Sequence, residues 1–124
     1  MSSAELVVGI GLRPGTSADR ISAALREILY DSTIRCLATL DRRAGEPGLR
    51  AVAAELGVPI KSYSAAVLAA VDVPNPGSRT FAAVATSSVA EAAAVLAADG
   101  AALVVPKRIV RGVVIAATRL GDQR

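Results

Sequence analysis

Apolar and polar positions fall in short alternating blocks along this 124-residue chain. Leu6-Val7-Val8 is an apolar run that leads into a glycine-rich bend, Gly9-Ile10-Gly11-Leu12-Arg13-Pro14-Gly15-Thr16-Ser17. Beyond it Ile21, Ala24, Leu25 and Ile28 recur at i, i+3, i+4 and i+7, with Asp19, Arg20, Arg26 and Glu27 on the other side. That spacing predicts a strand, a tight loop and an amphipathic helix. Arg35 to Leu40 predicts a second strand, and charge gathers where it ends, at Asp41-Arg42-Arg43. Glu46-Pro47-Gly48-Leu49 opens the next helix, because proline is tolerated at a first-turn position where no N–H partner is needed. Its apolar stripe is Leu49, Val52, Ala53 and Leu56, and Gly57 is placed to end it.

The second half continues the alternation. Val58 to Ser62 predicts a short strand, and Ser64 a cap for a brief helix through Leu68 and Val71. Two prolines and a glycine make Val73-Pro74-Asn75-Pro76-Gly77 irregular, a rim rather than a linker between domains. Ser78 to Ala85 predicts a short helix. Ser88-Val89-Ala90-Glu91 has the serine-to-glutamate spacing of a capping box, with Val89, Ala92, Ala93 and Leu96 as the inner face of a helix that Gly100 stops. Ala102 to Val105 and Val113 to Thr118 predict two further strands. Pro106 to Gly112, between them, is too short for the crossover that parallel neighbours require, so the pair is expected antiparallel. The expected fold is α/β: one three-layer domain over residues 1–124, a mixed central sheet of about five strands with helices on both faces. Right-handed crossovers place the glycine loop, Asp41 and Ser62 at one edge of the sheet, where clefts form.

Composition narrows the chemistry. The only aromatics are Phe81, Tyr30 and Tyr63, so no stacking platform for bases is available. The net charge is +3, but the basic residues are mostly arginine and scattered, which suits discrete carboxylates better than a nucleic-acid tract. Nucleic acid is not an expected partner. With no histidine and a single cysteine, Cys36, the usual neutral-pH base and the usual metal ligands are missing, and no metal or cofactor is expected. No stretch is apolar for long enough to span a bilayer, and no basic flank precedes a long apolar stretch at the N-terminus. The expected location is cytoplasmic, away from membrane.

The glycine loop is the first candidate site. Gly9, Gly11 and Gly15 can take φ > 0 and admit a ligand close to the backbone, Thr16 or Ser17 can cap the following helix, and Arg13 adds a full charge. Its spacing matches neither the dinucleotide fingerprint nor a phosphate loop with its lysine. A capped strand-to-helix turn and an anion cradle both fit the residues. Asp41 and Glu46 are the candidate catalytic carboxylates. The alternatives are an Asp41 paired with an arginine, a Glu46 that serves as a helix N-terminal carboxylate, a Ser88 and Glu91 that only cap, and a Lys107 that is a solvated hairpin charge.

The order Gly9-Ile-Gly-Leu-Arg-Pro-Gly-Thr16, Leu37-Ala-Thr-Leu-Asp41, Glu46-Pro-Gly-Leu49, Val73-Pro-Asn-Pro76, Ser88-Val-Ala-Glu-Ala-Ala93 and Leu103-Val-Val-Pro-Lys107 resembles the CobE and CbiG C-terminal domain family of cobalamin biosynthesis. The resemblance runs over almost the whole chain and, since it starts at the glycine-rich strand, points to the stand-alone form. It implies a part in corrin-ring synthesis, in which CbiG opens the ring A lactone of a cobalt-precorrin and releases acetaldehyde. It departs from the family at Leu12, where a cysteine is usual, and at Arg43, where a lysine is usual. The second change exchanges a titratable amine for a permanent charge, which keeps carboxylate binding and loses general-base chemistry. Precorrins carry acetate and propionate arms, which a helix N-terminus with glycine N–H donors together with Arg13, Arg42, Arg43 and Lys107 is suited to receive; Gly9, Gly11, Gly15, Thr16, Ser17 and Asp41 complete the expected ligand-binding edge. The leading expectation is a protein that binds an acidic precorrin or tetrapyrrole as carrier or accessory to a ring-modifying enzyme such as a methyltransferase. The alternatives are a lactone-opening enzyme in which Asp41 or Glu46 activates water, and a purely structural domain that docks on such an enzyme.

Overall fold

A computed structural model describes residues 5–29, 32–70, 81–98 and 103–119. The elements run β1 (Glu5–Gly11), α1 (Ala18–Leu29), β2 (Thr33–Leu40), α2 (Asp41–Ala44), α3 (Pro47–Leu56), β3 (Ile60–Tyr63), α4 (Ala65–Ala69), α5 (Phe81–Ala97), β4 (Leu103–Val110) and β5 (Val113–Arg119). They build one five-stranded sheet in the order β3-β2-β1-β5-β4. β1, β2 and β3 pair in parallel, and β5 runs antiparallel to both of its neighbours, β1 and β4. The sheet is therefore mixed, with the last two strands antiparallel, as the short connection between them predicts.

Central strands are covered on both sides. β1 is buried from Leu6 to Gly11 and β5 from Val113 to Thr118, which explains why both read as apolar runs rather than alternating ones. On one face Leu6, Val8, Ile10, Leu37 and Ile115 meet Ile21, Leu25 and Leu29 of α1 and Leu49 and Val52 of α3. On the other, Val7, Cys36 and Ala38 meet Leu68 of α4 and Ala92, Ala93 and Ala97 of α5, while Val114 and Ala116 meet Ala90. These are the expected three layers.

Local signals set several boundaries as expected. Pro47 occupies the first turn of α3, and Gly57 ends it at φ 72° with its N–H bonded back into the last turn. The Ser64 side chain accepts the Val67 N–H and caps α4. Leu56 departs from expectation: at the end of α3 it is 44% exposed, because the buried stripe stops at Ala53.

Three further differences have tertiary causes. Gly9 and Gly11 belong to β1 rather than to a loop, so the bend starts after Leu12. α5 runs without a break from Phe81 to Ala97, which places Ser88 inside the helix and removes the capping box. The strand expected over Ala102 to Val105 extends to Val110, and the hairpin turn is only Arg111-Gly112, with φ of 55° and 79°. Two consecutive positive φ values are the signature of a type I′ turn, whose twist matches that of the strands it joins. Pro106 is tolerated within β4 because β4 lies at the sheet edge, and the register with β5 slips between Leu103 and Val105 and again between Val105 and Arg108. Val71, the rim at Val73–Gly77, Ser78 and Gly100 lie outside the described residues.

Candidate functional site

In the register of β1 on β2, Gly9 faces Ala38, so Gly11 and Leu40 end at the same edge of the sheet. Leu12 to Ser17 and the helix α2 leave from that edge side by side. Between them lies a cleft of about 170 Å³ lined by Gly11, Leu12, Arg13, Thr39, Leu40, Arg42, Arg43 and Val89. Arg13 and Arg42 are exposed, and Leu12 and Thr39 are buried. The Thr39 hydroxyl donates to the Ile10 carbonyl at 2.7 Å, which locks the ends of β1 and β2 together beneath the cleft.

The loop above β1 is a tight turn. Pro14 and Gly15 are its corners, Gly15 has φ 82°, and the Thr16 N–H donates to the Arg13 carbonyl at 3.2 Å. Proline followed by a glycine at positive φ is the pattern of a type II turn. The Thr16 hydroxyl donates to the same carbonyl at 2.7 Å. Ser17 caps α1 by accepting the Arg20 N–H at 3.1 Å.

Two long-range bonds fasten this turn to the segment after β2. The Gly15 N–H donates to Glu46 Oε1 at 2.9 Å across 31 residues. Arg43 Nε donates to the Leu12 carbonyl at 3.0 Å. Gly48 has a steric reason: a Cβ there would overlap the Thr16 carbonyl oxygen, so only glycine lets the first turn of α3 lie against the loop. The anion-cradle reading is narrowed accordingly. The Gly15, Thr16 and Arg20 N–H groups are satisfied within the chain, and the charges that line the cleft are those of Arg13, Arg42 and Arg43.

The remaining candidates separate. Gly9 lies under α5, where a Cβ would overlap the Ala90 carbonyl oxygen, so its role is close helix-on-sheet packing. Asp41 is exposed in the first turn of α2, at the same edge as Gly11 but outside the cleft lining. Glu46 is the N-cap residue of α3, yet its side chain makes no bond to its own helix. Lys107 belongs to β4, on the far side of β5 from β1, and does not line the cleft. Its N–H donates to Glu91 Oε2 at 3.1 Å, and Glu91 is fully buried under that strand rather than capping α5. Thr39 and Val89, which the sequence pattern does not single out for the site, form part of the cleft wall. A polar residue inside an apolar run, as Thr39 in the stretch Cys36–Leu40, is the signal that would have found the first.

Cys36 is buried on the α5 face, and that burial pushes its thiol up from the ordinary value of 9.0 against the opposing charges of Lys61 and Arg35. A thiolate nucleophile is disfavoured there. Among the described residues no group of histidine, cysteine and carboxylate residues could hold a metal ion, and no helix is long and apolar enough to cross a membrane.

Comparison with known proteins identifies the family. Residues 6–118 match the family model described as cobalamin synthesis G C-terminus. Protein CobE of a Sinorhizobium species is 34% identical over a 116-residue alignment, with 88% of this chain and 75% of that protein covered. The crystal structure of CobE, a protein from the cobalamin biosynthetic pathway, is 33% identical and superposes with a TM-score of 0.76 over 98% of this chain and 94% of that one. The structure of cobalamin biosynthesis protein chiG from Agrobacterium tumefaciens is 32% identical, with a TM-score of 0.64 over 94% and 99% of the two chains. A cobalamin biosynthesis protein G homologue from Sulfolobus solfataricus shares the fold at 17% identity, with a TM-score of 0.73 over 97% of this chain and 38% of that one. By the family-model match, by its identity to CobE and by the shared fold, the chain belongs to the CobE and CbiG C-terminal family of cobalamin biosynthesis proteins.

Proposed function

We propose that this cobalamin-biosynthesis protein binds an acidic tetrapyrrole intermediate at the sheet edge, as carrier or accessory to a ring-modifying enzyme such as a methyltransferase. The observation that carries the reading is the cleft itself. Arg13, Arg42 and Arg43 stand around apolar walls made by Leu12, Leu40 and Val89. That combination matches an aliphatic acid: methylenes rest on the leucines and valine while the carboxylate meets guanidinium groups in charge-assisted hydrogen bonds. Only the Nε of Arg43 is engaged by Leu12, so its other nitrogens face no competing partner among the described residues.

The lactone-opening alternative asks for a general base beside the bound ring. Glu46 is bonded to Gly15, and Asp41 stands outside the cleft lining, so the geometry favours binding over hydrolysis.

The test is an absorbance titration of the purified chain with uroporphyrin, a polycarboxylate tetrapyrrole, followed by gel filtration for a co-eluting coloured species. Binding is expected, and it weakens with salt because its sources are exposed charges. Arg13→Ala weakens it by about 1–3 kcal/mol, the range for a charge-assisted bond, while Asp41→Asn leaves it unchanged or tighter. Multiple turnover of a lactone-bearing precorrin by the isolated chain, lost in Asp41→Asn, overturns the carrier reading.

A further inference from the structure

We infer that Glu46 is a positioning residue for Arg13 rather than a base, and that its carboxylate sets the binding cleft by holding the glycine turn; this rests on the proposed function. A glutamate at a helix start ordinarily turns toward its own helix, where it relieves unpaired N–H groups and meets the positive end of the dipole. Glu46 does neither. Its side chain crosses to Gly15 and accepts that N–H at 2.9 Å, although its own backbone is the N-cap of α3.

The contact is supported from both sides. Gly15 sits at φ 82°, the corner of a turn whose first residue is Arg13, so tying Gly15 down orients one of the cleft's two exposed arginines. Gly48 lacks the Cβ that would overlap the Thr16 carbonyl oxygen, which allows the start of α3 to approach within reach of the turn. Arg43 fastens the other end of the same turn at the Leu12 carbonyl, 3.0 Å away. The turn is thus clamped at Leu12 and Gly15, one residue to either side of the Arg13-Pro14 pair, by side chains from a single stretch of chain. Without the clamp, Arg13 would need to be ordered by the ligand, which lowers affinity.

This role has an unusual charge signature. A glutamine keeps an oxygen that accepts the Gly15 N–H and removes a negative charge from beside an anion site, so Glu46→Gln is expected to bind uroporphyrin as well as the native chain or more tightly. Glu46→Ala loses the acceptor and is expected to raise Kd about tenfold, with no further loss when added to Arg13→Ala, because residues that act through one another are non-additive.

The experiment is a double-mutant cycle on the full chain with uroporphyrin, using native, Arg13→Ala, Glu46→Ala, Glu46→Gln and the double alanine variant. Gly15 amide exchange is followed in parallel by NMR, and thermal midpoints confirm that each variant is folded. Faster Gly15 exchange in Glu46→Ala but not in Glu46→Gln, together with non-additive losses, is the expected result. Additive losses, or a Glu46→Gln variant as weak as Glu46→Ala, overturn the inference; the glutamine variant keeps it testable if the alanine variant does not fold. Failure of the native chain to bind uroporphyrin overturns the proposed function and this inference together, whereas intact native binding with additive losses overturns the inference alone.

Discussion

The two faces of the sheet are filled by different means. Under α1 and α3 the core is made of large aliphatic side chains, among them Ile10, Ile21, Leu37, Leu49 and Ile115, all fully buried. Under α5 it is mostly alanine: beside Val7, Cys36, Leu68 and Val114, Ala38 and Ala116 from the strands meet Ala90, Ala92, Ala93 and Ala97 of the helix. The first face gains stability from buried area and from interlocking volume. The second brings backbone against backbone, to the point that Gly9 leaves no room for a Cβ beneath Ala90. Polar bonds pin that close layer in place: the Thr118 hydroxyl donates to the Ala94 carbonyl at 3.2 Å, and Glu91 accepts the Lys107 N–H. A large side chain can be trimmed at a cost, whereas a close approach of two backbones has no slack at all. The cleft sits where the thin layer meets the glycine turn, with Val89 of α5 in its wall.

The contrast is broken most directly at Gly9. Gly9→Val forces a branched side chain into the Ala90 carbonyl, whose backbone atoms cannot yield, and is expected to cost above about 4 kcal/mol or to prevent folding. Urea denaturation followed by circular dichroism measures it, and a variant as stable as the native chain would show that α5 does not rest on β1 as described. Neighbouring positions on β5 sharpen the comparison, since Ile115 faces the large core and Ala116 the small one. Ile115→Ala leaves a cavity and is expected to lose about 2–5 kcal/mol in the same assay.

Thr118→Val tests the polar pins of the thin face. The hydroxyl is buried, but the Ala94 carbonyl also accepts the Ala98 N–H, so no carbonyl is orphaned and the loss is expected near 1 kcal/mol. A loss as large as that of Ile115→Ala would mean that the thin face depends on this bond rather than on close packing. The smallest effect lies at Cys36. Its folded pKa is raised above the ordinary value of 9.0, so its contribution to stability is fully present below that value and is lost as pH rises through the folded pKa. Cys36→Ala should therefore lose less stability than the native chain between pH 9 and the alkaline end of a thermal-midpoint series. Parallel curves would show that the thiol titrates freely.

What could be read from the residues in order was whatever depends on chain neighbours. Pro47 and Gly57 bound α3, Ser64 caps α4, the 3.6-residue rhythm of Ile21, Ala24 and Leu25 marks the buried side of α1, and the short link before Val113 forces β4 and β5 antiparallel. Each of these is a local steric or hydrogen-bonding requirement, met or missed within a few residues of itself. The family's motifs added their order to that list. Tertiary structure alone decided which long-range partners those residues meet. Gly9 looks like part of a ligand loop until α5 is laid on it, Ser88 and Glu91 fit a capping box until Glu91 is seen facing Lys107, and Glu46 reads as a helix-start carboxylate until Gly15 is found 2.9 Å away. The physical reason is that a buried or clamped polar group takes whatever partner the sheet register brings to it, and register is set by how all the elements pack at once. Residue spacing along the chain carries no record of that choice.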